Sequence, residues 1–429
     1  VDNDPVAFDG FPDAVFLRDL RNTTISRFGL VPINQTAAVA ACGTGTASTV
    51  GGPNTAGNAF TCPFVFNPDG TLLPLGGVRS GPRPNGNVVG GNGQTGRERQ
   101  LVTMAPDLKR YNVNLLAHYT VSDAFEPFVE AKFNRLDALG NNAGRSFIQG
   151  TFGTFDARER VRLDNPFLSP AARTAIGDAI LASGCNTSLT VTCGALTAEQ
   201  IEQIEEGTYR FVVARTLLDA GIRDEKMQRD TFRIVGGTRG SFNDDWNYEV
   251  SLNYGKYEEE KRTAGFLDRQ RFVLALDAGI NPATGQIQCR SQFDPEAAFG
   301  YDEGPFNIGD RGNPGQAARL AADIAACVPY NPFGAGDNSA SVDYFTYTGE
   351  ASASLRQFVA SAFMSGDSSQ LFELPGGPIR FALGAEYRRE KGDYIHDEFS
   401  NADSTNTNAV LIGRFNPPAF KVKELFGEV

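Results

Sequence analysis

The sequence predicts an all-β fold, an antiparallel up-and-down transmembrane β-barrel of which about seven or eight strands are present. Three observations predict it. Apolar and polar residues alternate over unusually long runs, short turns alternate with long connecting segments, and no apolar run reaches the roughly 18 residues of a membrane helix. Long extracellular loops that contain short helices are expected between the strands.

Alternation is strongest in three segments, residues 109–137, 226–260 and 350–395. Tyr111, Val113 and Leu115, for example, alternate with Asn112 and Asn114. A short turn interrupts each segment, so each predicts a hairpin. The runs have about 9–12 residues, whereas soluble strands usually have about five or six. A tilted strand crosses a bilayer in about 9–11 residues, which favours membrane strands over the alternative, a large soluble β-sandwich.

Charged residues occupy the second face of these predicted strands. In a membrane barrel that face lines a wet lumen or contacts a plug domain, and in a porin it sets solute selectivity. Simple solvation of a water-filled wall is the alternative. The predicted residues of this face are Glu130, Lys132, Arg233, Arg239, Glu249, Arg380, Glu386 and Arg388. Aromatic residues near the turns, including Phe125, Phe128, Phe242, Trp246, Tyr248 and Phe372, predict an interfacial girdle.

Long segments separate the hairpins. Residues 1–108 are interpreted as a long loop region, and residues 138–225, 256–349 and 390–417 as extracellular loops. Helices are expected within them. Ser169 with Pro170 predicts one helix start that Gly184 would end, Thr197 begins a capping box with Gln200, and a third helix is expected to end near Ala326.

The six cysteines lie in the long segments as three neighbouring pairs: Cys42 and Cys62, Cys185 and Cys193, Cys289 and Cys327. None has the C-x-x-C spacing of zinc or thioredoxin-type sites. Neighbouring cysteines favour disulfides formed in an oxidising compartment, with six free thiols as the alternative. Their connectivity does not follow from sequence alone.

Composition and motifs exclude several function classes. The chain has 39 Lys and Arg against 51 Asp and Glu, a net charge of -12, which argues against a nucleic-acid partner. The two histidines, His118 and His396, lack metal-ligand spacing, and no zinc-protease, hydrolase or P-loop motif occurs. We therefore expect no catalytic residue, no metal and no cofactor, and a protein that is not an enzyme.

A set of short motifs resembles the barrel of large TonB-dependent receptors of the type abundant in sphingomonad-like bacteria. The motifs are residues 165–169, Asp219 with Arg223, residues 237–246, Cys289-Arg290, residues 327–334, 374–378 and 384–388, and the closing stretch 422–428. The resemblance lies in the order and spacing of these motifs, which span nearly the whole chain.

The resemblance implies a bacterial outer-membrane barrel of about 22 strands with an N-terminal plug. It implies energy-dependent uptake of a scarce ligand, such as a siderophore or carbohydrate, with outer-membrane lipid around the barrel. A TonB-type periplasmic energy-coupling protein would act through the plug. The plug domain, the coupling box and the C-terminal strands are not recognised, so we expect a mid-barrel piece. The alternatives are a passive porin-like channel and a secreted soluble β-scaffold, either an adhesin or a carbohydrate-active enzyme.

Overall fold

The computed structural model describes residues 17–35, 60–80, 87–95, 103–142, 145–147, 159–187, 194–220, 223–242, 245–298, 316–397 and 414–429. Its largest element is one antiparallel sheet of seven long strands. They are β1 (Asp107–His118), β2 (Glu126–Asn142), β3 (Arg223–Phe242), β4 (Trp246–Leu267), β5 (Thr346–Asp367), β6 (Arg380–His396) and β7 (Phe420–Glu428).

Each long strand pairs with the next one along the chain, so the sheet is an up-and-down meander. The predicted antiparallel order is confirmed for these seven strands. Within the described residues, β1 and β7 each pair with one neighbour only, and the sheet is not closed into a barrel there. The fold is therefore mostly β, with a seven-stranded antiparallel sheet and a few helices.

The strands extend beyond the predicted hairpins. β4 and β5 have 22 residues each, which corresponds to about 70 Å at 3.3 Å per residue. β2 continues to Asn142 and β4 to Leu267, into segments that the sequence pattern assigns to loops. The alternation of apolar and polar residues in the sequence ends before the strand pairing ends. Both faces of these strand extensions carry polar residues, as in the run from Lys256 to Arg262.

Short turns join the strands at one end of the sheet. Between β1 and β2, the amide of Phe125 donates to the carbonyl of Ser122 at 3.0 Å, which closes a tight turn. Gly377 adopts a φ of 106° in the turn between β5 and β6. The longer connections, between β2 and β3, β4 and β5, and β6 and β7, all leave from the opposite end.

At that opposite end, connecting segments pack into a unit that we call the cap, formed by the described residues of 17–95, 159–220 and 268–345. Its helices are α1 (Pro170–Ser183), α2 (Ala198–Glu206), α3 (Arg269–Leu276), α4 (Gln316–Ala325) and α5 (Ser339–Phe345). Its short strands are Leu20–Arg21, Leu30–Gln35, Phe60–Phe66, Leu72–Pro74, Val78–Ser80, Asn87–Val89, Val161–Arg162, Arg210–Phe211, Arg215–Leu217, Ala278–Ile280 and Ile287–Cys289. Arg145–Phe147 pairs with Arg215–Leu217, and the 3-10 turns Arg290–Gln292 and Pro295–Ala297 complete the elements.

Local capping signals define the first two helices, as predicted. The Ser169 side chain accepts from the amide of Ala172, and Gly184 ends α1 with a φ of 66°. Thr197 and Gln200 form both hydrogen bonds of a capping box at the start of α2. α4 ends at Ala325, next to its predicted end. No described helix has the length and apolar character to cross a membrane.

The hydrophobic core lies in the cap rather than on the sheet. Its buried side chains come from all parts of the cap, from Val31 to Phe345. At its centre the rings of Phe272, Tyr330 and Phe345 lie 5.2 to 5.9 Å apart and are at most 1% exposed. In the seven long strands Val235 and Leu267 are the described buried hydrophobic residues. Both sheet faces are therefore largely uncovered within the described chain.

The predicted neighbouring cysteines Cys289 and Cys327 form a disulfide that ties the start of the first 3-10 turn to the end of α4. Cys185 is buried and also disulfide-bonded. Cys42 and Cys193 lie outside the described residues, and only the backbone of Cys62 is described, so their pairings stay predictions.

Replacing both Cys289 and Cys327 by serine is expected to destabilise the cap by about 3–4 kcal/mol, because the bond closes a loop with a sequence separation of 38. Hydrogen exchange of cap amides, compared with exchange in the central strands β3 and β4, measures the effect. Unchanged cap exchange in the double serine variant contradicts this role.

Candidate functional site

The strand register divides the sheet side chains into two faces, since directly paired residues project to the same side. Pairing aligns Ala131 with Ile234, Ile234 with Tyr254, and Tyr254 with Phe358. We call this side the apolar face. Its apolar residues are Val113, Leu115, Ala117, Val129, Ala131, Phe133, Phe232, Ile234, Val250, Leu252, Tyr254, Phe358, Ala360, Ala362, Met364, Leu383, Ala385, Tyr387 and Leu425.

Aromatic residues border the apolar face at two levels. At the turn end, Trp246 packs against Phe242 at 5.4 Å and against Phe381 at 5.1 Å between ring centroids. The second row runs across the sheet nearer the cap and consists of Tyr111, Phe133, Phe232, Tyr254, Phe358 and Tyr387. In β4 the interval from Trp246 to Tyr254 matches the roughly 9–11 residues of a tilted membrane strand.

The predicted interfacial girdle is wrong at one residue, Phe128. Phe242, Trp246 and Tyr248 lie on the apolar face, whereas Phe128 projects from the other face. There the Phe128 ring covers Gly237, where an added Cβ would lie 2.7 Å from the ring. The second aromatic row was not recognised from sequence, because it becomes visible only when the strands are aligned.

The opposite side, which we call the polar face, carries all eight residues that the sequence pattern places toward a lumen or plug. Register places Arg233 opposite Lys132 and Arg239 opposite Glu249. Glu130 and Arg233 form an ion pair at 3.7 Å. Arg380, Glu386 and Arg388 project from β6 to the same side because they are separated by even numbers of residues. The structure thus brings these residues onto one surface, and their lumenal role stays a prediction.

A polar cluster lies at the turn end of the polar face. Glu126 contacts Arg239 at 2.7 Å, accepts from the hydroxyl of Thr120 at 2.7 Å, and lies 3.4 Å from His118. Glu126, Arg239 and Thr120 line an open cleft of about 1020 Å³, together with Ser241, Asn247 and Glu249. Glu126 was missed at the sequence level because it directly precedes Pro127 in the assigned turn.

Further polar contacts continue along this face toward the cap. The hydroxyls of Ser251 and Ser361 lie 2.9 Å apart. Nearer the cap, Glu259 accepts from Arg229 and from the Tyr257 hydroxyl, both at 2.6 Å. Among the described residues Lys132 and Glu249 form no salt bridge. Such a surface can bind water, polar solutes or a polar protein surface, and it offers free charges of both signs.

The described part of the chain contains no group of three or more His, Cys, Asp and Glu side chains arranged to hold a metal ion. The acidic run Glu258 to Glu260 divides between the faces. Glu259 belongs to the polar face, whereas Glu258 and Glu260 project from the apolar face beyond the second aromatic row. The strand geometry therefore separates Glu259 from Glu258 and Glu260.

A buried charge cluster joins the cap helices α3 and α4, and α3 directly follows the end of β4. Asp323 of α4, 2% exposed, accepts from Arg271 at 2.8 Å and from the side-chain amide of Gln270 at 2.8 Å. Asp268, which caps α3, contacts Arg319 at 3.1 Å and Arg271 at 3.6 Å. Burial raises the pKa of Asp268 to about 6, although the two arginines act in the opposite direction.

The raised pKa predicts that the cap is more stable in mild acid. Protonated Asp268 favours the folded state and so contributes to the free energy of unfolding of the cap. This contribution is complete below about pH 4 and is lost as the pH rises through 6. The expected difference is about 2–3 kcal/mol. Urea midpoints of the cap at pH 4.5 and 7, compared between wild type and Asp268→Asn, measure it. Equal pH dependence in both proteins contradicts the assignment.

Comparison of the chain with protein-family models, with curated proteins and with solved structures found no match.

Proposed function

We propose that this chain is part of the β-barrel of a bacterial outer-membrane receptor that takes up a scarce ligand in an energy-dependent way. The observation that carries the proposal is the apolar face, bounded by two aromatic rows and backed by a charged face. Outer-membrane barrels combine an apolar band about 25 Å tall, aromatic girdles and a polar interior. The register of β1 to β7 supports the same combination here.

Exposure of the apolar face supports a lipid environment. Val113 is 63% exposed, Leu252 54%, Val250 46% and Leu383 48%, and they belong to one continuous surface. Monomeric soluble proteins rarely expose apolar patches larger than a few hundred Å². Lipid chains cover such a surface without a further protein layer, and strands β2 to β6 pair with a neighbour on both sides, which satisfies their backbone hydrogen bonds.

The cap and the polar face support a receptor. In this proposal the cap is the extracellular ligand-binding region, and its shared core holds several connecting segments as one unit. The polar face would contact a plug domain, through which a TonB-type periplasmic protein supplies energy. The ligand in this proposal is a small molecule, such as a siderophore or carbohydrate.

The test is a blot of the outer-membrane fraction of the source organism, with an antibody against the cap and with boiled and unboiled samples. The proposal expects the protein in this fraction and faster migration before boiling, as closed membrane barrels show. Recovery only in the soluble fraction, without a heat shift, overturns it in favour of a soluble β-scaffold.

A passive porin-like channel is the alternative that uses the same polar face. Planar-bilayer recordings of the full-length protein separate the two functions. A gated receptor is expected to show no steady conductance without its partner, because the plug fills the lumen. Constitutive open-channel conductance supports the passive channel instead.

A further inference from the structure

Two exposed phenylalanine rings lie among the charged residues of the polar face, near its turn end. They belong to one paired row across β4 to β7, which consists of Glu249, Phe363, Gly384 and Phe426. Both rings are exposed. Phe363 and Glu249 also line the open cleft of about 1020 Å³ at this end of the face. The row therefore adjoins space that a solute can enter.

The ring of Phe426 lies over Gly384 on the neighbouring strand. A Cβ added to Gly384 would collide with the outer atoms of this ring. The ring therefore lies along the sheet, with one side covering the glycine and the other side available to a bound group. Phe128 has the same arrangement over Gly237, between β2 and β3.

The ring of Phe128 shows what such a ring can contact on this face. The guanidinium of Arg239 lies 5.4 Å from the centroid of the Phe128 ring, and it also contacts Glu126 at 2.7 Å. Cation–π attraction and an ion pair thus act on the same cation. A ring, a cation and a carboxylate form one complete group at this place.

On β5 to β7 the rings and carboxylates occur without the cation. Among the described residues no positively charged side chain lies over the ring of Phe363 or Phe426. Glu249, which is next to Phe363 in the row, forms no salt bridge within the same part of the chain. Its register partner Arg239 contacts Glu126 on the other neighbouring strand. The arrangement therefore has room for a cation that the described chain does not supply.

The next paired row adds two carboxylates beside these rings. Glu386 and Glu424 are directly opposite each other on β6 and β7, where side chains are about 5 Å apart and like charges repel. Glu386 lies 3.8 Å from Arg388, and Glu424 forms no salt bridge with a described residue. A cation bound next to this pair and against the Phe426 ring relieves the repulsion and gains the cation–π contact.

We propose that this aromatic–acidic site, formed by Glu249, Phe363, Glu386, Glu424 and Phe426, binds the guanidinium or ammonium group of a small organic cation. The inference rests on the proposed function, since it requires the polar face to line the lumen that the ligand crosses, and it names the class of that ligand. In the bound state the cation lies on the uncovered side of the Phe426 ring, and its N–H groups donate to Glu386 and Glu424. The rest of the molecule extends along Phe363 toward Glu249 and the cleft.

The test uses full-length protein from outer membranes, in detergent, after its heat shift has been verified. Isothermal titration calorimetry measures binding of n-butylguanidinium beside n-butylurea, a neutral molecule of the same shape. Wild type is compared with Phe426→Leu/Glu424→Gln. The matched control is Phe420→Leu/Glu390→Gln, which makes the same two changes in β7 and β6 of the same face, nearer the cap. There Glu390 already accepts a hydrogen bond from Gln357 at 2.8 Å.

We expect wild type to bind n-butylguanidinium at least about tenfold more tightly than n-butylurea. The Phe426→Leu/Glu424→Gln variant is expected to lose about tenfold or more in affinity for the cation, and the control less than about twofold. Absence of cation binding to the heat-modifiable wild type, equal binding of n-butylurea, or an equal loss in the control overturns the inference. A protein without a heat shift contradicts the proposed function itself and is thereby distinguished.

Discussion

Replacing Val250 by arginine is expected to destabilise the barrel by about 2–4 kcal/mol and to reduce the heat-modifiable form strongly. Val250 lies midway between Trp246 and Tyr254 on the apolar face, opposite Thr238 and Ala362 in the register. In the proposed orientation this position is near the bilayer centre. A charged group there must be buried in hydrocarbon or must distort the bilayer.

Ser251→Arg is the matched control, because the adjacent residue of the same strand projects from the polar face. Among the described residues its hydroxyl forms one hydrogen bond, with Ser361, so the change is expected to cost less than about 1 kcal/mol. Urea titration of the heat shift, in membranes that contain each variant, measures both effects. Equal losses for Val250→Arg and Ser251→Arg contradict the assignment of one face to lipid.

The second large effect is expected for Asp323→Ala, which should destabilise the cap by about 3–5 kcal/mol. The carboxylate is 2% exposed and holds Arg271 and Gln270, while Arg319 approaches it at 3.6 Å. Its removal leaves the buried side-chain amide of Gln270 without this acceptor. Arg271 and Arg319 then share the single carboxylate of Asp268 within the cluster.

Asp343→Ala in α5 is the control for this change, because Asp343 belongs to the same cap and is exposed. This substitution is expected to change the free energy of unfolding of the cap by less than about 0.5 kcal/mol. Urea unfolding followed by hydrogen exchange of the cap separates the two variants. Similar unfolding of Asp323→Ala and Asp343→Ala contradicts a structural role for the buried charge cluster.

Features that depend on neighbouring residues could be predicted from the sequence. Alternation has a period of two, so the parity of Arg233, Arg239 and Glu249 along their strands is enough to place them on one face. The helix boundaries at Ser169 and Thr197 were predictable for the same reason, because capping uses residues three positions apart.

Features that depend on distant pairing could not be predicted. The second aromatic row requires the register between β2 and β3, which are separated by a long connection. The cap core is equally non-local. Asp219 accepts hydrogen bonds from the Tyr330 hydroxyl and from the Asn338 side chain across 111 and 119 residues. No periodicity of the sequence indicates such contacts.

Fluorescence of Trp246 tests the central proposal most directly. Trp246 is the single tryptophan of this sequence, and it lies on the apolar face in the turn-end aromatic row, where its indole donates to the carbonyl of Asp367 at 2.9 Å. The full-length protein is reconstituted into bilayers of lipids brominated at shallow or deep chain positions. A Trp246→Phe variant identifies the signal. Quenching of Trp246, stronger with shallow than with deep bromine, is the predicted result. Emission unchanged by brominated lipid at either depth would contradict a membrane-facing sheet.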